Sequence, residues 1–290
     1  MFSVARLATV EDMIKLHGFP SIITNRADRT GRGRTRRLTL VGAVGSAALL
    51  AATTVASPAN AVIGGRDATE YYPFMVTLRD GKGAHYCGGT LISPEWVVTA
   101  GHCSHPPRDE ITVKVGGDDL EKGGSVRRVT KIVRHPRYTA DPGNLRYDIA
   151  LFKLDRPVAQ TPIRIAAKSG PPGTAVRLLG WGMTCEFGNH CAEPPTTLQE
   201  LDSEIVSDRR CVGVDAATDI CSQHPTREAQ ACTLDSGGPM IRKIKGRWEL
   251  VGVTSRDGDE TDLTCVGPGV WTDATAYRSW ISRTIGVEER

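Results

Sequence analysis

Once its first 61 residues are set aside, the chain has no surplus of charge of either sign. The 290 residues carry 36 Lys+Arg against 33 Asp+Glu, a formal net charge of +3. Residues 1–61 hold 8 of those bases and 3 of the acids, which leaves 28 against 30 beyond them, a net of −2. Binding a polyanion needs a clustered cationic surplus, so neither nucleic acid nor an anionic membrane is an expected partner. No internal repeat is strong enough to argue from. Long apolar runs are also missing, with one exception at Leu38 to Ala56. A four-ligand metal spacing is missing too: Cys185, His190 and Cys191 lie together, but no fourth ligand follows at a suitable distance. No metal and no other cofactor is expected.

The exceptional run follows Arg32, Arg34, Arg36 and Arg37, and Ala59-Asn60-Ala61 then gives the small-x-small pattern of a signal-peptidase site. The run approaches membrane-spanning length. The cleavage pattern and the cysteines behind it favour a secretory signal over an anchor. Residues 1–61 therefore read as a leader and residues 62–290 as a secreted domain, with no membrane attachment after cleavage. Arg36-Arg37 with Leu38 and Leu40 also fits a twin-arginine signal, but the Sec route is expected. Residues 1–30 are long for a leader, consistent with a start at Met13 or later. All eight cysteines lie beyond the leader, and an even set in an exported chain reads as four disulfides. Spacing alone leaves roughly a hundred connectivities open.

Forty per cent hydrophobic residues and 31 glycines fit a globular, β-rich protein. Short apolar runs separated by turn formers predict strands over Pro73–Arg79, His85–Ile92, Glu95–Thr99, Ile111–Val115, Ser125–Arg134 and Asp148–Leu154. A second series covers Ala175–Trp181, Leu198–Val206, Pro239–Lys243, Trp248–Ser255 and Gly269–Trp271. Gly170-Pro171-Pro172-Gly173 is the strongest punctuation, so the passage between two halves is expected near 166–175. Thr275 to Ile285 has helical spacing, with Tyr277, Trp280, Ile281 and Ile285 largely on one face.

The stretch Cys232-Thr233-Leu234-Asp235-Ser236-Gly237-Gly238-Pro239 carries the chemistry. A serine hydroxyl is a poor nucleophile and needs open approach, a base and donors for a developing oxyanion. Gly237 and Gly238 let backbone and substrate come close to Ser236. Alone, the tetrapeptide Asp235–Gly238 is equally well a loop with two flexible glycines. Two further stretches answer it. Trp96 to Cys103 ends an apolar run on His102, and Asp148 opens another apolar run with a carboxylate. The order His102, Asp148, Ser236 differs from that of subtilisins and α/β-hydrolases.

On these three motifs, from about Val62 to the last helix, the chain resembles the chymotrypsin-like (trypsin-like) serine proteases. The resemblance implies an all-β fold: two six-stranded antiparallel β-barrels with a C-terminal α-helix, and the active site in the crevice between them. It implies a serine-type endopeptidase acting on protein or peptide substrates as a monomer. His102 would be the general base, Asp148 its orienting carboxylate and Ser236 the nucleophile, with the backbone N–H groups of Leu234 and Ser236 as the oxyanion hole. Gln230, Ser255, Asp257 and Gly269 would line the substrate pocket. It pairs Cys87–Cys103, Cys211–Cys221 and Cys232–Cys265, leaving Cys185–Cys191 as a local clip. A free α-amine on Val62 would pair with Asp235. Because Ala61 ends the signal site, one cut would both export the chain and make that terminus. This exported layout without a propeptide looks prokaryotic, of the secreted bacterial type.

Four positions depart from the family pattern. Leu234 stands where the family has glycine, and its Cβ narrows the accessible backbone region at the oxyanion hole. Arg256 and Asp257 replace a tryptophan and a glycine on the pocket wall. Gln230 replaces the floor aspartate that selects Arg and Lys, so strict basic preference is expected to be lost, with medium-sized polar or apolar residues accepted before the scissile bond and Asp257 at the rim. These departures leave room for a weakly active or non-catalytic homologue that binds a protein partner, and an esterase on the same scaffold would use the same residues.

Overall fold

Seven strands come from the first half of the chain in this computed structural model, which describes residues 62–141, 145–185, 193–226, 228–259 and 265–287. A two-residue β1 (Arg66–Asp67) precedes β2 (Met75–Arg79), β3 (His85–Ser93), β4 (Trp96–Thr99), β5 (Thr112–Val115), β6 (Ser125–Arg134) and β7 (Ala150–Leu154). Strands β2 to β7 close into a six-stranded antiparallel barrel in the order β2-β3-β4-β7-β6-β5. Closure leaves no unpaired edge. Val76, Leu78, Leu91, Val98, Val113 and Leu151 are fully buried in its core. Each such side chain contributes roughly 1.5–3 kcal/mol by leaving water.

The chain changes partners at Ile163–Arg164. Ile163 donates to the Leu91 carbonyl of the first barrel, whereas β8 (Arg164–Ile165) runs parallel to a strand of the second. The second barrel comprises β9 (Ala175–Gly180), β10 (Gln199–Ile205), β11 (Asp219–Gln223), β12 (Pro239–Ile244), β13 (Arg247–Asp257) and β14 (Gly269–Asp273). Its order is β9-β10-β11-β14-β13-β12, and β12 pairs back onto β9. The two barrels thus share one strand order, although the sequence shows no repeat. Leu178, Leu201, Met240, Val251 and Trp271 form the second core, and Val62 is wholly buried among them.

Strand β11 is the barrel strand that apolar alternation does not predict. Asp219 and Ser222 interrupt its pattern, yet both are buried and hydrogen-bonded. The C-terminal helix α1 (Arg278–Ile285) starts three residues later than its spacing predicts, because Ala276 and Tyr277 are held in a turn by the Asp273 and Ala274 carbonyls. Gly286 ends it in a left-handed conformation at φ 72. Ile281 enters the same apolar cluster as Leu91 and Phe152.

The segment after Val62 is fastened to the second barrel by charge. Arg66 pairs with Glu200 on β10, and the Glu200 carboxylate accepts from Arg66, Thr69, Tyr72 and Arg177 while itself fully buried. Burial pushes this carboxyl upward, but the Thr69 N–H and hydroxyl, Tyr72 and Arg177 prevail and hold it below its ordinary value.

Candidate active site

Strand β4 delivers His102 to the edge of the first barrel, where the chain turns into a short 3-10 segment over His102–Ser104. The Cys87–Cys103 disulfide pins that turn to β3. The His102 backbone N–H donates to Asp148 Oδ1 at 2.9 Å, and its ring Nδ1 lies 2.8 Å from Asp148 Oδ2. A carboxylate only accepts, so the proton sits on Nδ1 and leaves Nε2 as a lone-pair acceptor in the neutral ring. His102 is 24% exposed and the Asp148 side chain 0%. Asp148 precedes β7 in a tight turn: Ile149 N–H returns to the Tyr147 carbonyl at 2.8 Å, and Tyr147 has φ 55. From the second barrel, Ser255 Oγ donates to Asp148 Oδ2 at 2.7 Å and Thr272 Oγ1 to the Asp148 carbonyl at 2.9 Å. Both barrels therefore grip this one aspartate.

Ser236 enters from the loop between β11 and β12 and is half-buried. Its carbonyl accepts the Gly88 N–H at 2.8 Å, which seats the loop against β3. Gly237 beside it has φ 78, and a Cβ there would collide with the Thr99 hydroxyl and the Gly88 carbonyl, so only glycine lets the loop press onto the end of the histidine strand. The N–H groups of Asp235, Gly237 and Gly238 are engaged by Cys232, Thr254 and Asp235 carbonyls. Those of Leu234 and Ser236 have no acceptor among the described residues. Leu234 has φ 78, in the left-handed region that costs a side-chain-bearing residue roughly 1–2 kcal/mol.

Asp235 is fully buried. It accepts the Gly182 N–H at 2.7 Å and the Cys232 N–H at 2.9 Å, and among the described residues no cation pairs with it. Burial pushes its carboxyl up to about 7 against those two donors. A Cβ at Gly180 or Gly182 would run into this carboxylate, so the wall around it is bare backbone. Val62 is also fully buried and has φ 59, an outlying torsion for a β-branched residue.

A cavity of about 250 Å³ opens beside Ser236, and Gln230, Ser255, Asp257 and Gly269 are among its lining. Gln230 Nε2 donates to Asp257 Oδ1 at 3.0 Å, and the Cys265 N–H donates to the same oxygen at 3.2 Å. Asp257 is exposed as a residue, yet its carboxyl reaches inward to the residue expected at the floor, and burial pushes its titration upward. A Cβ on Gly269 would collide with Gln230 Oε1. The Cys232–Cys265 disulfide closes the cavity wall, and Cys211–Cys221 is also formed. The expected partner of Cys185, Cys191, lies outside the described residues together with His190. Cys87, His102 and Cys103 cluster, but the two sulfurs are spent in a disulfide and offer no thiolate to a metal.

Two contributions were invisible to sequence motifs. Thr272 fixes the Asp148 backbone, and Arg256 bonds Asp219, 37 positions away. No local pattern joins residues so far apart.

The trypsin family model matches residues 62–281. A trypsin of Sarcophaga bullata is 33% identical over 237 residues, 77% of this chain and 88% of its own. Trypsin theta of Drosophila melanogaster is 32% identical over 236 residues, 76% of this chain and 84% of its own. Trypsin 5G1 of Aedes aegypti is 30% identical over 242 residues, 78% and 85% respectively. These relatives are insect proteins and lend no support to the bacterial type that the layout suggests. The match spans both barrels and every site residue above, and the chain belongs to the trypsin family of serine endopeptidases.

Proposed function

We propose that this protein is a secreted endopeptidase that cleaves peptide bonds through an acyl-enzyme on Ser236. The observation that carries this reading is the chain of hydrogen bonds from Ser255 through Asp148 to His102 Nδ1. It leaves His102 Nε2 free to take the Ser236 proton as Oγ bonds to the substrate carbonyl carbon. The oxyanion then receives the N–H groups of Leu234 and Ser236. His102 returns the proton to the departing amine, and water repeats the cycle to release the acid and restore Ser236.

The Val62–Asp235 pair belongs to the same reading. A buried carboxylate without a cation favours an arriving α-amine. Cutting the bond before Val62 also frees the φ torsion that is outlying in the intact chain. Export and maturation are then one event at Ala61–Val62. The mature domain works as a monomer free of the membrane; among its described residues no helix is long and apolar enough to cross one.

For the residue before the scissile bond, the Asp257–Gln230 contact modifies what the floor residue alone implies. Asp257 supplies a pocket carboxylate, so Arg and Lys are favoured, but less strictly than by a floor aspartate, and neutral polar side chains are accepted. A second reading, a weakly active or non-catalytic homologue, has one observation in its favour: Leu234 holds a left-handed backbone in the oxyanion loop. A serine-directed organophosphonate separates the two. Stoichiometric labelling at Ser236, lost in His102→Ala, is expected; a folded protein that takes no label refutes the catalytic reading.

A further inference from the structure

Arg256 lies on β13 beside Ser255 and takes no part in the chemistry described so far. Its Nη2 donates to Asp219 Oδ2 at 2.8 Å and to the Gly213 carbonyl at 2.8 Å. Its Nη1 donates to the Leu145 carbonyl at 3.2 Å and reaches Ser255 Oγ at 3.4 Å. The arginine side chain is 18% exposed and that of Asp219 1%. Asp219 and Gly213 belong to the second barrel, whereas Leu145 precedes Asp148 by three residues on the first. We propose that Arg256 is a positioning residue for Asp148, and that the Arg256–Asp219 pair sets the electrostatic field at the His102–Asp148 couple. This inference rests on the triad reading above.

The geometric half follows from the turn that carries Asp148. Tyr147 sits at φ 55, a conformation that persists only where the surroundings over-determine it. Three contacts supply that constraint: the Arg256 bond to Leu145, the Arg146–Asp215 ion pair at 2.9 Å, and a stack in which Tyr147 lies against His135 and under Arg137. Of these, only Arg256 also touches Ser255, the residue that donates to Asp148. An apolar side chain at this position would pack but could hold neither Leu145 nor Asp219.

The electrostatic half follows from the same contacts. Ser255 spends its proton on Asp148 Oδ2, so towards Arg256 its oxygen is an acceptor. A guanidinium one hydroxyl away from Asp148 opposes formation of the imidazolium on His102. Asp219, in contact with that guanidinium, cancels part of this effect. The other ionisable groups around the couple do not duplicate it. Tyr138 packs against Gly101 with His105 on its hydroxyl, Arg134 is bound to Ser104, Arg146 is paired with Asp215, Tyr277 stands near Asp219 as a neutral phenol, and His135 on Tyr147 is held below its ordinary titration by burial and by Arg137.

The test is kcat/KM against pH for the protein carrying Arg256→Met, Arg256→Lys or Asp219→Asn, with thermal unfolding to check the fold. Removing the cation eases imidazolium formation, so Arg256→Met is expected to move the acid limb to higher pH by about 0.3–1 unit. Asp219→Asn leaves the cation uncompensated and is expected to move the limb the other way by a similar amount. Arg256→Lys keeps the charge but not the fork that spans Leu145 and Asp219; its limb should stay near wild type while kcat falls several-fold. Should Arg256→Met fail to fold, Arg256→Lys against Asp219→Asn still decides. A merely structural role predicts limbs that do not move, or that move together, and either result overturns the inference. Labelling of the wild-type protein at Ser236 keeps that failure distinct from failure of the triad itself.

Discussion

Breaking the Ala61–Val62 bond should remove the loss of stability that Asp235 brings as the pH rises. While the bond is intact, Asp235 is a buried carboxyl with two backbone donors and no cation among the described residues. Burial raises its titration from 3.8 to about 7. The folded state then keeps a proton that the unfolded chain releases. Stability from this group is full below pH 4 and is lost as the pH rises to about 7. At ~1.4 kcal/mol per unit, the loss is on the order of 4 kcal/mol, a large part of the ~5–15 kcal/mol that holds a typical domain folded. A free α-amine on Val62 titrates near ~8, supplies the missing cation and offsets the loss up to about that pH. Urea unfolding from pH 4 to 8 measures this, with Ser236→Ala in every sample to prevent self-digestion. The intact chain should weaken steadily towards pH 7, the cut chain should not, and Asp235→Asn should flatten the slope of the intact chain. Equal slopes in intact and cut protein would refute the pairing.

Leu234→Gly should raise kcat, by about tenfold if the strained loop forfeits part of the ~10²–10³ that one oxyanion donor supplies; unchanged turnover would mean that the leucine is harmless there. Relief of left-handed strain is offset by glycine's greater chain entropy, so unfolding should shift by no more than about 1 kcal/mol. Because His102 must be neutral to accept the Ser236 proton, kcat/KM should fall on acidification; maximal rate at pH 4 would indicate another base. Peptide-library profiling should show a partial preference for Arg and Lys that weakens as Asp257 protonates and disappears in Asp257→Gly. A preference for Arg and Lys indifferent to that substitution would show that Asp257 is not its source.

Much of the fold was legible because barrel strands advertise themselves when their apolar residues are also their buried ones. That holds for β2 to β5 and for β7, where Val76, Leu91, Val98 and Leu151 lie inside, whereas on β6 Val126 is exposed. It fails for β11, whose Asp219 and Ser222 are buried because Arg256 and Trp271 pair with them. The Gly170–Gly173 punctuation marks a loop, while the partner change at Ile163–Arg164 leaves no compositional trace. Within the candidate site, residues in short motifs could be read singly, since His102, Asp148 and Ser236 each sit in a recognisable run. Contacts across long separations could not. Nothing local tells that Asp257 reaches Gln230, or that Arg256 reaches both Asp219 and Leu145. The left-handed torsion at Leu234 was legible only as an anomaly of residue type.

The most direct test of the central claim is hydrolysis of a peptide substrate by purified Ser236→Ala protein whose fold is verified by circular dichroism. The account predicts that turnover falls by several orders of magnitude while the unfolding transition is unchanged. Undiminished cleavage by that folded variant would contradict it, because a group other than Ser236 would then have to attack the carbonyl beside His102.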